Sequence, residues 1–288
     1  MPDSIRHWNG VGAASRPACP TVSIVMPAKD EARNLAIILP RLPVVHEVIL
    51  VDGRSVDRTV AVARAIRPDI KVIHQTRTGK GNALVCGFMA ATGDIIVMFD
   101  ADCSADPDEI PRFVDALVAG ADFAKGSRFL PGGGSADITR VRAIGNRVLN
   151  MIVNGVLRTH YTDLCYGYNA FWTDVLEQLD LPAPEAVAIP GRSGLQGDGF
   201  EIETVITCRA AAAALWVQEV SSYEQRREHG ASNLRAVSDG LRVLQTIAFE
   251  RRRARGRRPA AVAGVSTALA PAATELIYPK ELSIEPLA

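Results

Sequence analysis

The sequence predicts an α/β protein built on an open, mostly parallel sheet flanked by helices. Four short Val- and Ile-rich runs, apolar on both faces, recur through the first hundred residues. Strands buried on both sides of a parallel sheet read this way. Stretches of helical periodicity separate the runs, an alternation that yields right-handed crossovers. Acidic and glycine-rich segments fall just after the runs, at the carboxyl edge where such sheets bind ligands.

Residues 1–20 read as a loose leader. Strands are expected at 22–28 (VSIVMPA), 47–52 (EVILVD), 71–75 (KVIHQ) and 94–100 (DIIVMFD), and helices at 31–39, 57–66, 81–91 and 106–119. A fifth strand is expected at 121–127 and, after the glycine run 132–134, a helix at 139–157. Residues 182–197, rich in Pro and Gly, read as a mobile loop; 200–213 as a helix; 215–220 as a strand. Residues 234–253 form an amphipathic pattern with Leu234, Val237, Leu241, Leu244, Ile247 and Ala248 on one side. From 259 the chain is Ala/Pro-rich and reads as a disordered tail. The division is a leader (1–20), a main domain (21–225), a C-terminal motif, helix and basic arm (226–258) and a tail (259–288).

The 288 residues carry 32 Lys+Arg against 32 Asp+Glu, with 48% hydrophobic and 22% charged residues. This is a globular composition, and it excludes collagen-like and disulfide-framework chains. The net charge of zero is an average. Residues 226–258 hold ten Arg against three acids, a local +7 that leaves −7 elsewhere. The five cysteines are odd in number and form no CxxC pair, which points to a reducing compartment and away from structural zinc. Residues 1–20 lack the apolar stretch of a signal peptide, and no window reaches the ~20 apolar residues of a membrane span. The expectation is a cytoplasmic protein, at most peripheral at the inner face of the cell membrane.

The sharpest chemical feature is Phe99-Asp100-Ala101-Asp102. An apolar strand ends in two carboxylates, which repel each other unless a cation neutralises them. Mg²⁺ or Mn²⁺ held by one or two carboxylates and substrate phosphates suits that arrangement; the competing reading is a strand-end turn with Asp106 capping the next helix. Asp52 ends a buried strand and needs a partner, whereas Ser55 and Asp57 read as helix caps. Lys80 sits at a glycine turn, equally suited to a phosphate neighbour or to solvent. Neither GxGxxG after the first strand nor GxxxxGK[ST] is present.

Taken together, PAKDE (27–31), VDGRSVDRT (51–59), GKGNAL (79–84), FDADCSADP (99–107), GSRFLPGG (126–133), TDLCYGYNAF (162–171), GDGFEIET (197–204) and REHGASNL (227–234) resemble a family 2 glycosyltransferase of the GT-A fold. The resemblance spans about 210 residues and is nearest the polyprenyl-phosphate (dolichol-phosphate) mannosyl- and glucosyltransferase branch. It implies an inverting hexosyltransferase that takes a nucleotide sugar of the GDP-mannose or UDP-glucose type to a polyprenyl phosphate; a sugar or small hydroxyl compound is the alternative acceptor.

The resemblance also implies residue roles. Pro27, Ala28 and Glu31 would line the nucleotide pocket, and Val51 and Asp52 would contact base or ribose. Asp100 and Asp102 would hold the metal, Mg²⁺ or Mn²⁺, and through it the diphosphate, with Ala101 between them against the nucleotide sugar. Arg128 and Arg227 would bind phosphate charge. Asp198, or Glu201, would act as base for a hydroxyl acceptor; helix capping is the competing role for Asp198. The chain departs from the pattern at Gly53, Ser104 and Asn233, which replace the usual Asp, Gln and Lys, and at Lys29 and Asp30. The missing carboxylate at Gly53 leaves the base open. His160, Cys165 and Tyr166 lie near the expected acceptor loop. The aromatic cluster Tyr161, Tyr166, Tyr168, Phe171 and Trp172 reads as core before it reads as a sugar platform.

Arg251 to Arg258 hold six Arg in eight residues. After an amphipathic helix, this reads as a solvated tail or as an arm attracted to anionic lipid. Nucleic acid is not an expected partner.

Overall fold

The computed structural model describes residues 16–187, 195–230 and 236–256. The first fifteen residues, the middle of the predicted 182–197 loop, Asn233, Leu234 and the arm and tail from 257 lie outside the described residues.

Among the described residues nine strands and eight α-helices follow in order: β1 Val22–Ala28, α1 Ala32–Ile38, β2 Glu47–Asp52, α2 Thr59–Ile66, β3 Lys71–His74, α3 Lys80–Ala90, β4 Ile95–Met98, α4 Ile110–Val118, β5 Phe123–Ser127, β6 Gly134–Ser135, α5 Arg140–Leu157, β7 Asn169–Trp172, α6 Leu176–Leu179, α7 Ile202–Ala212, β8 Val217–Ser221, β9 Tyr223–Glu224 and α8 Ala236–Gly256. Seven strands form one sheet in the order β3-β2-β1-β4-β7-β5-β8; β6 and β9 pair separately. The large sheet is parallel except for β7, which runs antiparallel to both β4 and β5.

The Val/Ile runs become strands because their side chains are buried on both faces: Ile24, Val25, Ile49, Leu50, Ile95 and Ile96 have no exposed surface. Burying each large apolar side chain is worth about 1.5–3 kcal/mol. Phe88, Phe113, Phe123 and Phe171 fill the space between sheet and helices. Phe171 stacks on Phe123 at 5.5 Å and meets Phe88 edge-on at 5.3 Å. Tyr161, Tyr166, Tyr168, Phe171 and Trp172 are all buried, so the aromatic cluster is core.

The turns after β1 and β2 lock together. Ser55 Oγ accepts from the Asp30 N–H and Asp57 from the Ala32 N–H, while Asp30 accepts from the Val56 N–H. The expected caps of α2 therefore serve chiefly to brace α1 across the turn, although Asp57 also accepts from the Thr59 N–H.

α5 is inverted relative to an ordinary surface helix. Thr139 caps it, and its inward side carries Asn146 and Asn150 beside Leu149 and Val153, all buried. Its outward side carries Val141, Ile144, Val148 and Met151, which are 68, 66, 44 and 62% exposed. Water does not favour that orientation. α8 also differs from expectation. Its buried side is Val243, Thr246, Ile247 and Glu250, while Leu241 and Leu244 stay exposed. Among the described residues no helix is long and apolar enough to cross a membrane.

Candidate active site

A cavity of about 940 Å³ opens at the carboxyl edge of the sheet. One side is built from the segments that follow β1 to β4 and the other from α5, the segment before β7, the start of α7, β9 and α8. Of the residues singled out in the sequence, Pro27, Ala28, Glu31, Asp100, Ala101, Asp102, Arg128 and Arg227 line it.

Three do not. Val51 is fully buried within β2. Asp52 is buried beside it and engages the Ser55 N–H at 3.3 Å and His74 Nδ1 at 3.2 Å; Gly53 reaches the wall in their place. Asp198 is clamped by Arg77, with Nη2 at 2.7 Å from Oδ1, and accepts from the Leu195 N–H. Arg77 also donates to the carbonyls of Ala183, Pro184 and Ala186. This corrects the expectation for Asp198: its carboxylate holds Arg77, which also grips the carbonyls of residues 183–186, and it does not line the cavity. It is not the cap of α7 either, a place taken by Glu201.

Each carboxylate after β4 is held by a protein cation. Lys80 Nζ lies 2.8 Å from both oxygens of Asp100 and 2.8 Å from Glu203. Arg227 Nη2 lies 3.1 Å from Asp102. Burial disfavours the Lys80 charge, but the two carboxylates it bridges outweigh that and hold it protonated. Burial pushes the Glu203 carboxyl above its ordinary range. It does the same to Glu31, where the charges of Asp102 and Asp100 add to the shift. Gly167 lets this cluster close: a Cβ there would stand 3.1 Å from both Lys80 Nζ and Glu203 Oε1.

Arg128 also differs from expectation. It is 7% exposed and pairs bidentately with Asp163 at 2.7 and 3.0 Å, with Glu224 at 3.0 Å. Burial works against its charge, and the two carboxylates more than offset it. It thus forms a neutralised part of the wall that joins β5, the 163–168 segment and β9. Glu201 lines the cavity with Oε1 accepting from the Gly197 and Gly199 N–H groups, and its buried Oε2 has no partner among the described residues.

Sequence reasoning missed Glu203, Glu224 and Asp163 as site residues and left Lys80 undecided. Glu203 stood in the quoted GDGFEIET segment, and its buried place on α7, facing Lys80, was the signal. Asp100 and Asp102 fit a divalent cation. They are hard oxygen donors, adjacent on one wall, and their charge already draws two protein cations. Among the described residues no cluster of three or more His, Cys, Asp or Glu gathers as a cage, so a cation here would take its remaining ligands from substrate phosphates and water.

A mostly parallel α/β sheet flanked by helices, with one reversed strand, is the architecture of the GT-A glycosyltransferases. Residues 23–180 match the model of the family described as "Glycosyl transferase family 2". The chain belongs to glycosyl transferase family 2, and its enzyme class is hexosyltransferase. It is 33% identical over 234 residues to the polyprenol monophosphomannose synthase of Mycolicibacterium smegmatis, covering 77% of this chain and 83% of that one. It is 31% identical over 223 residues to the undecaprenyl-phosphate mannosyltransferase of Micrococcus luteus, covering 74% and 87%. Among solved structures it is similar to glucosyl-3-phosphoglycerate synthase from Mycobacterium tuberculosis, crystallised with Mn²⁺, uridine diphosphate and phosphoglyceric acid. The TM-score is 0.62 and the identity 21%, with 81% of this chain and 79% of that one covered. This likeness supports the fold.

Proposed function

We propose that the enzyme transfers a hexose from a nucleoside diphosphate sugar to a polyprenyl phosphate, with inversion at the anomeric carbon. The observation that carries the acceptor is the inverted α5. Its exposed stripe runs into the cavity, which Val141, Val148, Leu241 and Leu244 line. An isoprenoid chain lying on that stripe removes from water the apolar surface the fold leaves exposed. The relatives named for polyprenol and undecaprenyl phosphate support the same acceptor.

The nucleotide lies along Pro27, Ala28, Glu31 and the ends of β2 and β3. Its diphosphate reaches Asp100, Ala101 and Asp102, with Asp52 fixing the strand end behind it. A divalent cation on Asp100 and Asp102, when bound, neutralises charge on the departing diphosphate. Arg227 and Lys80, already within the carboxylate cluster, turn to the phosphate oxygens as that charge develops, and Arg128 keeps the opposite wall in register. The acceptor phosphate oxygen forms the new bond to the anomeric carbon while the bond to the diphosphate breaks and its electron pair leaves with the nucleotide. The acceptor is already an anion, so no general base is required.

Purified enzyme incubated with labelled nucleotide sugars tests this. The expected product is a lipid-linked hexose formed from polyprenyl phosphate and not from the matching polyprenol. Transfer to a sugar hydroxyl with none to polyprenyl phosphate would overturn it. Peripheral membrane contact belongs to the same reading: Ile144→Asp and Met151→Asp should lower co-sedimentation with anionic vesicles. Loss of binding only on deletion of 251–288 would assign contact to the basic arm instead.

A further inference from the structure

The ends of β1, β2 and β3 lie side by side. Ala28 pairs with Asp52, and Asp52 with His74. The next residues, Lys29, Gly53 and Gln75, therefore form a row across three strand ends, and all three line the cavity. The order β3-β2-β1-β4 sets the Lys29 end of this row beside β4, and from there the row leads away from Asp100 and Asp102 by interstrand steps of about 4.8 Å. A nucleotide whose diphosphate lies at those carboxylates places its base over this row.

The chemistry of the row is specific. Gln75 is 8% exposed, its backbone N–H donates to Asp52, and its side-chain amide has no hydrogen-bond partner among the described residues. Among the described residues no group engages that amide, and Gln75 opens on the cavity, so its donor and its acceptor are available to a ligand. Gly53 contributes backbone only: a Cβ there would stand 3.0 Å from Lys29 Cβ and 3.1 Å from the Ala28 carbonyl oxygen. Of the carboxylates nearby, Asp52 is engaged by Ser55 and His74 and is absent from the wall, and Glu31 accepts from Asn34 and lies toward Asp102 and Arg227, away from Gln75. What remains is an ammonium group and an amide, which together present donor, acceptor, donor.

Uracil displays O2, N3–H and O4 along its edge, the complementary order of acceptor, donor, acceptor. Guanine displays O6, N1–H and an amino group, which sets that amino group against a second donor with no carboxylate to receive it. Cytosine and adenine present an amino donor where uracil has O4. We infer that the base end of the cavity selects uracil, with Gln75 reading N3–H and O4 and Lys29 reading O2. The inference rests on the donor-site reading above and narrows the donor to a uridine diphosphate sugar.

Calorimetric titration of the full chain with UDP and with GDP, both with Mg²⁺, tests it. Wild type should bind UDP about tenfold or more tightly than GDP, since an unmatched buried polar group rejects the wrong base by at least that factor. Gln75→Leu should abolish most of this preference. Gln75→Glu presents acceptors only and should move preference toward GDP. Lys29→Ala, an exposed position, should weaken UDP more than GDP without touching the fold, and melting temperatures of all variants confirm folding. GDP binding as tight as UDP in wild type, or a UDP preference that survives both Gln75→Leu and Lys29→Ala, overturns the inference. Binding of neither nucleotide to folded wild type overturns the donor site itself, and the inference with it.

Discussion

Arg209→Met is the sharpest test of what holds the second wall of the cavity in place. Arg209 on α7 and Glu250 on α8 are 5% and 3% exposed. They are joined by three contacts of 2.9 to 3.2 Å, and Arg209 also donates to the carbonyls of Leu179 and Asp180. Removing one partner of a buried pair costs about 3–5 kcal/mol, because the other is left desolvated and uncompensated. Arg253 stands 3.6 Å from Glu250 and offsets part of that, so the lower end, about 3 kcal/mol, is the working figure. At about 2–4 °C per kcal/mol for a domain of this size, the melting temperature should fall by roughly 6–12 °C. Differential scanning calorimetry measures it. Arg209→Met/Glu250→Leu should recover most of the loss, since a well-packed apolar pair replaces a buried ion pair at little net cost. A fall below about 2 °C in the single variant, or no recovery in the double, would show that the pair does not carry the α7–α8 contact.

Three other outcomes follow from the same geometry. Gly81→Ala places a Cβ 1.7 Å from the Gly197 carbonyl oxygen; separating the two backbones should cost about 1–3 kcal/mol or more and weaken nucleotide binding, read by melting temperature and titration. Asp100→Asn and Asp102→Asn should each keep a wild-type circular dichroism spectrum yet lose the enhancement of donor binding by Mn²⁺, and EDTA should remove the same enhancement from wild type. Glu47 is held below its ordinary value of 4.5: burial pushes it up, but hydrogen bonds from Ser23 and Thr92 outweigh that. A lowered carboxylate stabilises the fold above its unfolded value and loses that contribution as pH falls through the folded one. The stability gap between wild type and Glu47→Gln should therefore be full at pH 7 and close as acid unfolding proceeds below about 4.5.

Strands β1, β2 and β4 were legible because burial on both faces leaves an unbroken Val/Ile run; β3, at the sheet edge and only partly buried, kept just Val72 and Ile73 as its signal. The acidic pair was legible because it ends one of those runs. β7 was not. Its four residues, Asn169–Trp172, are too few to show a period, and their aromatic content reads equally as loop or core. The helix over α5 was visible in its period, but which side faces inward depends on what packs there, and an Asn-bearing inner side defeats the usual rule. Asp198 was read as a candidate base because the resemblance carried by GDGFEIET implies an acidic base in that segment; its partner Arg77 lies 121 residues away in sequence. Glu203 escaped and Lys80 stayed undecided for the same reason, since an ion pair between distant segments leaves no local pattern.

The reversed strand divides the active site into two stretches of chain. Parallel strands finish at the rim, so the residues that follow them reach the cavity; β7 begins there, so the residues before it do. Every cavity-lining residue up to Ser104 belongs to the first stretch, and every one from Arg128 onward to the second. At the cavity the two meet through ion pairs that include Lys80 with Glu203, Asp102 with Arg227 and Arg77 with Asp198. On the proposed reading, a substitution on α5 or α8 can therefore alter the apolar side of the cavity without displacing the strand ends on its other side.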